Sequence, residues 1–223
     1  PEADVYIAGS DQIWNSNLPN GKDAAYFLQF GSDKTKRISY AASFAIPDVA
    51  EEFKALNSAW LRKFDAISVR EHTGLSILQS LGINGGVEVL DPVYLLSASE
   101  WNEFAGEKPI ITTPYILVYD LCLNDDSLRA EAERLSKEFA LKIISVDGHF
   151  KCPYADKNIS NAGPQEFVNM IAHAAYVVTN SFHATSFSLI LNRPFSVFYK
   201  RKNISRMADI LSHLNLLHCL NAK

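Results

Sequence analysis

The run Thr179-Asn180-Ser181-Phe182-His183-Ala184-Thr185-Ser186-Phe187-Ser188-Leu189 gathers hydroxyls, one amide and one imidazole. The apolar triplet Tyr176-Val177-Val178 before it reads as a buried strand, and Phe187, Leu189, Ile190 and Leu191 read as one face of a helix. A polar turn between strand and helix sits at a helix N-terminus, where unpaired N–H groups and the helix dipole favour negative charge. In an open α/β sheet, ligands bind in the crevice beyond the C-terminal ends of the strands. The chemistry this predicts is capture of an anionic substrate. His183 would meet it as a cation or protonate it, and Ser181, Asn180 and Thr185 would donate hydrogen bonds. Helix capping competes for the hydroxyls, and a core histidine bonded to a neighbouring strand is the competing reading of His183.

A second set lies in the first half of the chain. Asp4–Ala8 reads as a short strand ending at Gly9, followed by the polar turn Ser10-Asp11-Gln12. Asp11 is a candidate to take a proton from a substrate hydroxyl, with Ser10 and Gln12 as binding groups; its alternative is a turn aspartate bonded to its own backbone. Trp14 reads as a packing residue before a stacking platform. Arg70 directly follows the strand Ala66–Val69 and could grip a carboxylate or phosphate through two parallel hydrogen bonds. Glu71 would orient it, or match the dipole of the next helix. A structural ion pair of Arg70 with Glu71 or Asp91 is the other reading. Asp91 precedes Pro92, so it is extended and expected to fix a domain edge. His72 and His149 have no motif behind them, while His173, His213 and His218 fall in expected helices. His183, Asp11 and Arg70 are thus the expected catalytic groups, and no metal is demanded.

The elements that must position these groups alternate. Strands are expected at Arg37–Ala41, Ala66–Val69, Val87–Leu90, Tyr115–Leu121, Lys142–Val146, around Val177 and at Pro194–Tyr199. One helix is capped by Asp48 with Glu51 at its third position and carries the stripe Val49, Phe53, Leu56, Trp60 and Phe64. Others follow through Leu75, Leu78 and Leu81 to a stop at Gly82, through Leu128, Ala132, Leu135 and Phe139, from Gly163-Pro164 with Phe167 and Ile171 inward, after His183, and at Leu211 and Leu214. Such alternation predicts parallel sheets with helices on both faces. A break at Trp101–Pro114 predicts two Rossmann-like units, 1–106 and 107–223, with a ligand cleft between them.

Composition narrows the function. Of 223 residues, 48% are hydrophobic and 21% charged, ordinary for a globular protein, and the net charge of -4 provides no global field for nucleic acid or an anionic membrane. An anion site must be local, and the basic clusters Lys34-Thr35-Lys36-Arg37 and Lys200-Arg201-Lys202 read most simply as solvated loops. No apolar run reaches transmembrane length. No signal peptide is visible. Cys122, Cys152 and Cys219 lack zinc spacing and suit a reduced cytoplasm.

Gly9-Ser10-Asp11-Gln12-Ile13-Trp14-Asn15 resembles a hallmark of the polysaccharide pyruvyl transferase family. Ser39-Tyr40-Ala41-Ala42-Ser43-Phe44, Val69-Arg70-Glu71, Leu90-Asp91-Pro92 and Thr179-Asn180-Ser181-Phe182-His183 fit it in the same order. The resemblance implies a fold like the two-domain GT-B glycosyltransferases, with an acceptor-side first domain and a donor-side second one. The first βα unit of the family is not seen ahead of Asp4, so the first domain is expected to be truncated. The activity implied is ketal-pyruvyl transfer from phosphoenolpyruvate, as donor substrate and without a cofactor, to a sugar or lipid-linked glycan of a cell-surface or exported polysaccharide. Such chemistry needs cations for the donor's carboxylate and phosphate, a proton donor for its methylene carbon and a base for the acceptor hydroxyls. A cytoplasmic place follows, with peripheral association at the inner face of the membrane left open. Two other readings stand beside it: a nucleotide-sugar-dependent glycosyltransferase, for which no ribose-binding acid follows the Ser181 turn, and a non-catalytic glycan-binding module.

Overall fold

Apolar segments flanked by polar turns become short parallel strands, and the amphipathic segments between them become helices. The computed structural model describes residues 3–121, 125–147, 151–199, 211–212 and 214–222. The chain divides into two compact units, residues 3–92 and residues 93–199 with 211–222. Cys122, His149, the cluster Lys200-Arg201-Lys202 and His213 lie outside the described residues.

In the first unit, β1 (Val5–Ala8) pairs in parallel with β2 (Lys36–Ser39) from Val5↔Lys36 to Ala8↔Ser39. After α1 (Glu51–Leu61) comes β3 (Ser68–Val69), and after α2 (His72–Ser80) comes β4 (Val87–Glu88), parallel to β3. Parallel bridges Ile38↔Ala66 and Ala42↔Val69 join β2 to β3. Trp14 is the centre of the core: it is fully buried, stacks on Phe27 at 5.6 Å and meets Phe44 at 5.3 Å. Its indole N–H donates to the Tyr26 carbonyl at 3.2 Å, so both its apolar body and its polar tip are used in packing.

Two expectations for this unit are corrected. Asp48 does not cap α1: its carboxylate accepts from the Val49 N–H at 2.8 Å, and Ala50 is the cap residue. Ala45 takes a positive φ of 52°, and the residue before Pro47 is pushed from helical backbone, so the chain buries Val49 before the helix starts. The inward stripe then steps four residues from Phe53 to the fully buried Asn57, leaving Leu56 41% exposed.

Arg37, read as part of a solvated basic loop, is buried. Its Nε donates to the Leu28 carbonyl at 2.8 Å, Nη1 to Thr35 at 3.0 Å, and Nη2 to Phe30 at 2.8 Å and Ser32 at 3.2 Å. A guanidinium fork thereby ties down the loop from 28 to 35. A lysine has a single ammonium and cannot reproduce that fork. Arg37→Lys should lower the unfolding free energy by about 2–4 kcal/mol, seen as a lower urea midpoint with the slope unchanged. An unshifted midpoint would refute this role.

The second unit is a larger sheet. Its strands are β5 (Tyr115–Tyr119), β6 (Lys142–Val146), β7 (Lys157–Ile159), β8 (Tyr176–Thr179), β9 (Phe195–Tyr199) and β10 (Leu220–Ala222). The order is β10-β9-β8-β5-β6-β7, all parallel. Alternate residues of β5 serve opposite faces, as strand geometry requires. Tyr115 and Leu117 join the cluster with Met170, Ile171, Ala184 and Phe187, whereas Ile116 and Val118 join Leu128, Ala132 and Leu135. Helices α3 (Ala98–Ala105), α5 (Pro164–His173) and α6 (Phe182–Ile190) therefore cover one face and α4 (Asp126–Phe139) the other. The expected mixed α/β architecture with parallel strands is present in each unit.

The region read as a break holds α3, opened by a capping box in which Ser97 and Glu100 satisfy each other's backbone. Trp101 packs edge-on against Phe187 at 4.8 Å. The second unit accordingly starts at Val93, ahead of the expected division at 106. Buried Asn169 then fastens the loop after α3: its amide N–H groups donate to the carbonyls of Ala105, Gly106 and Lys108, and its oxygen accepts from the Ile110 N–H. Leu214 lies exposed in a turn and His218 in the 3-10 turn Leu217–Cys219, where an α-helix was expected. No helix among the described residues is long and apolar enough to cross a membrane.

Candidate functional site

In the second unit, β5 leads to β6 on one side and β8 leads to β9 on the other, so the crevice beyond β5 and β8 is a topological switch point. The polar turn after β8 lies there. Thr179 Oγ1 donates to the Tyr119 carbonyl at 2.6 Å and accepts from the Ser181 N–H at 3.0 Å. Asn180 crosses the crevice: Nδ2 donates to Asp120 Oδ1 at 2.6 Å, and Oδ1 accepts from the Leu121 N–H at 2.8 Å. Ser181 is the N-cap of α6, its Oγ accepting from the Ala184 N–H at 3.4 Å. Thr185 is fully buried and donates to the Ser181 carbonyl at 2.9 Å. His183 is the second residue of α6, half-buried, with its ring edge-on to Phe182 at 5.5 Å.

Amide and hydroxyls therefore shape this turn, while His183 is the ionisable side chain on the first turn of the helix. Asp120 belongs to no motif in the sequence. It follows β5 as Asp91 follows the expected strand before it, but a lone Asp after a strand says nothing about a partner sixty residues on. Near it, burial and then the charge of Asp147 hold the Tyr119 phenol above its ordinary pKa.

In the first unit, Ser10, Asp11, Arg70 and Asp91 meet beyond the strand ends. Arg70 Nη1 donates to Asp91 Oδ2 at 2.5 Å and to Ser10 Oγ at 3.3 Å, and Ser10 Oγ donates to the same Asp91 oxygen at 2.7 Å. Arg70 Nη2 lies 3.5 Å from Asp11 Oδ1. The Arg70 and Asp91 side chains are each 2% exposed, whereas that of Asp11 is 63% exposed. One buried guanidinium thus faces one buried and one solvent-facing carboxylate. Asp11 also takes a positive φ of 73°, with Ala41 at 55° and Ala45 at 52° on the same rim. Strained backbone of this kind persists where the surroundings fix it, and it clusters at functional sites.

Glu71, next to Arg70, is buried, and its Oε1 accepts from Ser43 Oγ at 3.0 Å, Phe44 N at 3.0 Å and Ala45 N at 3.2 Å. It fixes the turn after β2; Ser43 gave no sequence signal for this. Gln12 Oε1 accepts from Asn15 Nδ2 at 3.0 Å, and the Gln12 carbonyl accepts from Asn20 Nδ2 at 2.6 Å. The loop closes so tightly that a Cβ on Gly21 would stand 2.1 Å from the Asn15 carbonyl oxygen, which only glycine allows. His72 is exposed, with Nδ1 3.5 Å from Glu88.

Each unit thus carries a polar cluster beyond the C-terminal ends of its strands. The sequence model of the family described as polysaccharide pyruvyl transferase matches residues 2–199, a span containing every residue of both clusters. A search of curated proteins finds no match.

Proposed function

The chain belongs to the polysaccharide pyruvyl transferase family, and from that premise we infer that it moves pyruvate from phosphoenolpyruvate onto two hydroxyls of a glycan sugar. The family match carries this reading; the two polar clusters support it. A proton adds to the donor's methylene carbon, two acceptor oxygens bond to its central carbon, and phosphate leaves. The acceptor's two hydroxyl protons balance the methyl group and the departing phosphate.

We assign the second unit to the donor. His183, on the first turn of α6, would carry the positive charge that binds phosphate or the proton that moves, and the Asn180–Ser181 turn and Thr185 would hold that helix end in place. We assign the first unit to the acceptor. Asp11 would take a hydroxyl proton, Ser10 and Gln12 would bind hydroxyls, and Arg70, held by Asp91, would offer its charge to an anion or steady Asp11, with Glu71 fixing the rim. Both units are read as Rossmann-like and of the GT-B type. A cytoplasmic place goes with the free thiols Cys152 and Cys219.

Titration with phosphoenolpyruvate tests the donor. Saturable binding is expected, weaker by about tenfold or more in His183→Ala, since a charge-assisted hydrogen bond contributes about 1.5–3 kcal/mol. No binding by the folded chain would overturn the assignment, and saturable binding of a nucleotide sugar in its place would favour glycosyl transfer.

A further inference from the structure

We infer that Asp120 is a positioning residue of the second unit's site, setting the place of Asn180 and through it the Asn180–His183 turn. The inference rests on the donor reading above for its functional consequence, and on geometry alone for its mechanical part. Asp120 is the first residue beyond β5 and sits at the switch point between β5 and β8. Its two carboxylate oxygens divide the work. Oδ1 accepts from Asn180 Nδ2 at 2.6 Å, and Oδ2 accepts from the Asp125 N–H at 3.2 Å. Asp125 in turn caps α4, its Oδ1 accepting from the N–H groups of Ser127 at 3.0 Å and Leu128 at 3.4 Å.

One side chain therefore links the start of α4 to the start of α6 across the crevice. Asn180 is 7% exposed and spends its amide oxygen on the Leu121 N–H, so its orientation is fixed at both ends. A carboxylate is the one side chain here that accepts on both oxygens. An asparagine keeps the acceptor for Asn180 but presents an NH2 to Asp125, and an alanine removes both tethers. Asp91 holds Ser10 in the first unit with the same chemistry, a carboxylate just past the strands accepting from the turn of another strand.

The test compares the chain with Asp120→Ala and Asp120→Asn, and with Asn180→Ala in place of the first should that variant not fold. Amide hydrogen exchange at residues 180–185 is expected to quicken by about tenfold or more in Asp120→Ala, with partial recovery in Asp120→Asn. Phosphoenolpyruvate binding should weaken on the order of 10- to 100-fold in the alanine variant and recover in the asparagine one. A role in general stability alone would lower the melting temperature of both variants without concentrating the exchange at this turn, and that result overturns the inference. So does unchanged exchange. Should the unaltered chain bind no phosphoenolpyruvate, the donor reading fails while the exchange measurement still decides the role of Asp120.

Discussion

An Asp91→Ala chain should unfold about 3–5 kcal/mol more easily than the original, because the substitution takes from the buried Arg70 guanidinium its buried carboxylate partner, while Asp11 is solvent-facing and farther away. The Arg70 side chain is 2% exposed and cannot turn to solvent without opening the rim. Asp91 Oδ2 receives both the guanidinium and the Ser10 hydroxyl, so the substitution also strips the acceptor from Ser10. Urea unfolding measures the loss. Asp91→Asn keeps one acceptor oxygen and should lose less. Arg70→Met combined with Asp91→Leu should also lose less than Asp91→Ala alone, because both buried charges go together and the coupling shows as non-additivity. A loss of only about 0.5 kcal/mol, typical of a surface substitution, would mean that Arg70 is compensated by another group.

That result bears on how the site could be read from sequence at all. Arg70 and Asp91 each stand at the end of an expected strand, and that placement allows an ion pair of Arg70 with Glu71 or with Asp91. What pattern could not supply was burial. A guanidinium after a strand looks the same whether it meets a ligand or a carboxylate twenty-one residues on. Asp120 shows the same limit, since its partner Asn180 is sixty residues away and is brought there by strand order. Ser43 lies in one of the segments that carry the family resemblance, but its contact to Glu71, twenty-eight residues on, has no local signature.

Strong local signals did fix elements. Lys142–Val146, with Ile143, Ile144 and Val146 buried, is a strand with the bounds expected, and Gly163-Pro164 opens α5 where Pro favours a first turn. Weak ones did not: Lys157–Ile159 has three residues and no alternation, and α3 was masked by the Gly106 and prolines that follow it, although its Ser97 and Glu100 spell a capping box. Arg37 sat in a basic run that suggested solvent, while the carbonyls that hold it come from a loop with no periodicity.

For catalysis, the largest expected effect is at Asp11, where activity and stability should move separately. Its carboxylate is solvent-facing and its contact to Arg70 is long, 3.5 Å, so it contributes little to holding the fold. Its backbone, at φ 73°, lies in the left-handed region that asparagine tolerates and glycine enters freely. Asp11→Asn keeps shape and backbone preference but cannot take a proton. Pyruvyl transfer should then fall by about 10²- to 10⁴-fold, the usual contribution of a general base, with the unfolding midpoint unchanged. Asp11→Gly should lose as much activity, and relief of the left-handed strain should offset the added chain entropy of glycine in its unfolding free energy. Asp11→Ala, by contrast, should cost about 1 kcal/mol of stability, because alanine gains nothing from a local hydrogen bond in that conformation. Transfer to a sugar diol, followed by phosphate release in all four chains, separates the outcomes. If Asp11→Asn turns over at the original rate, the carboxylate is not the base.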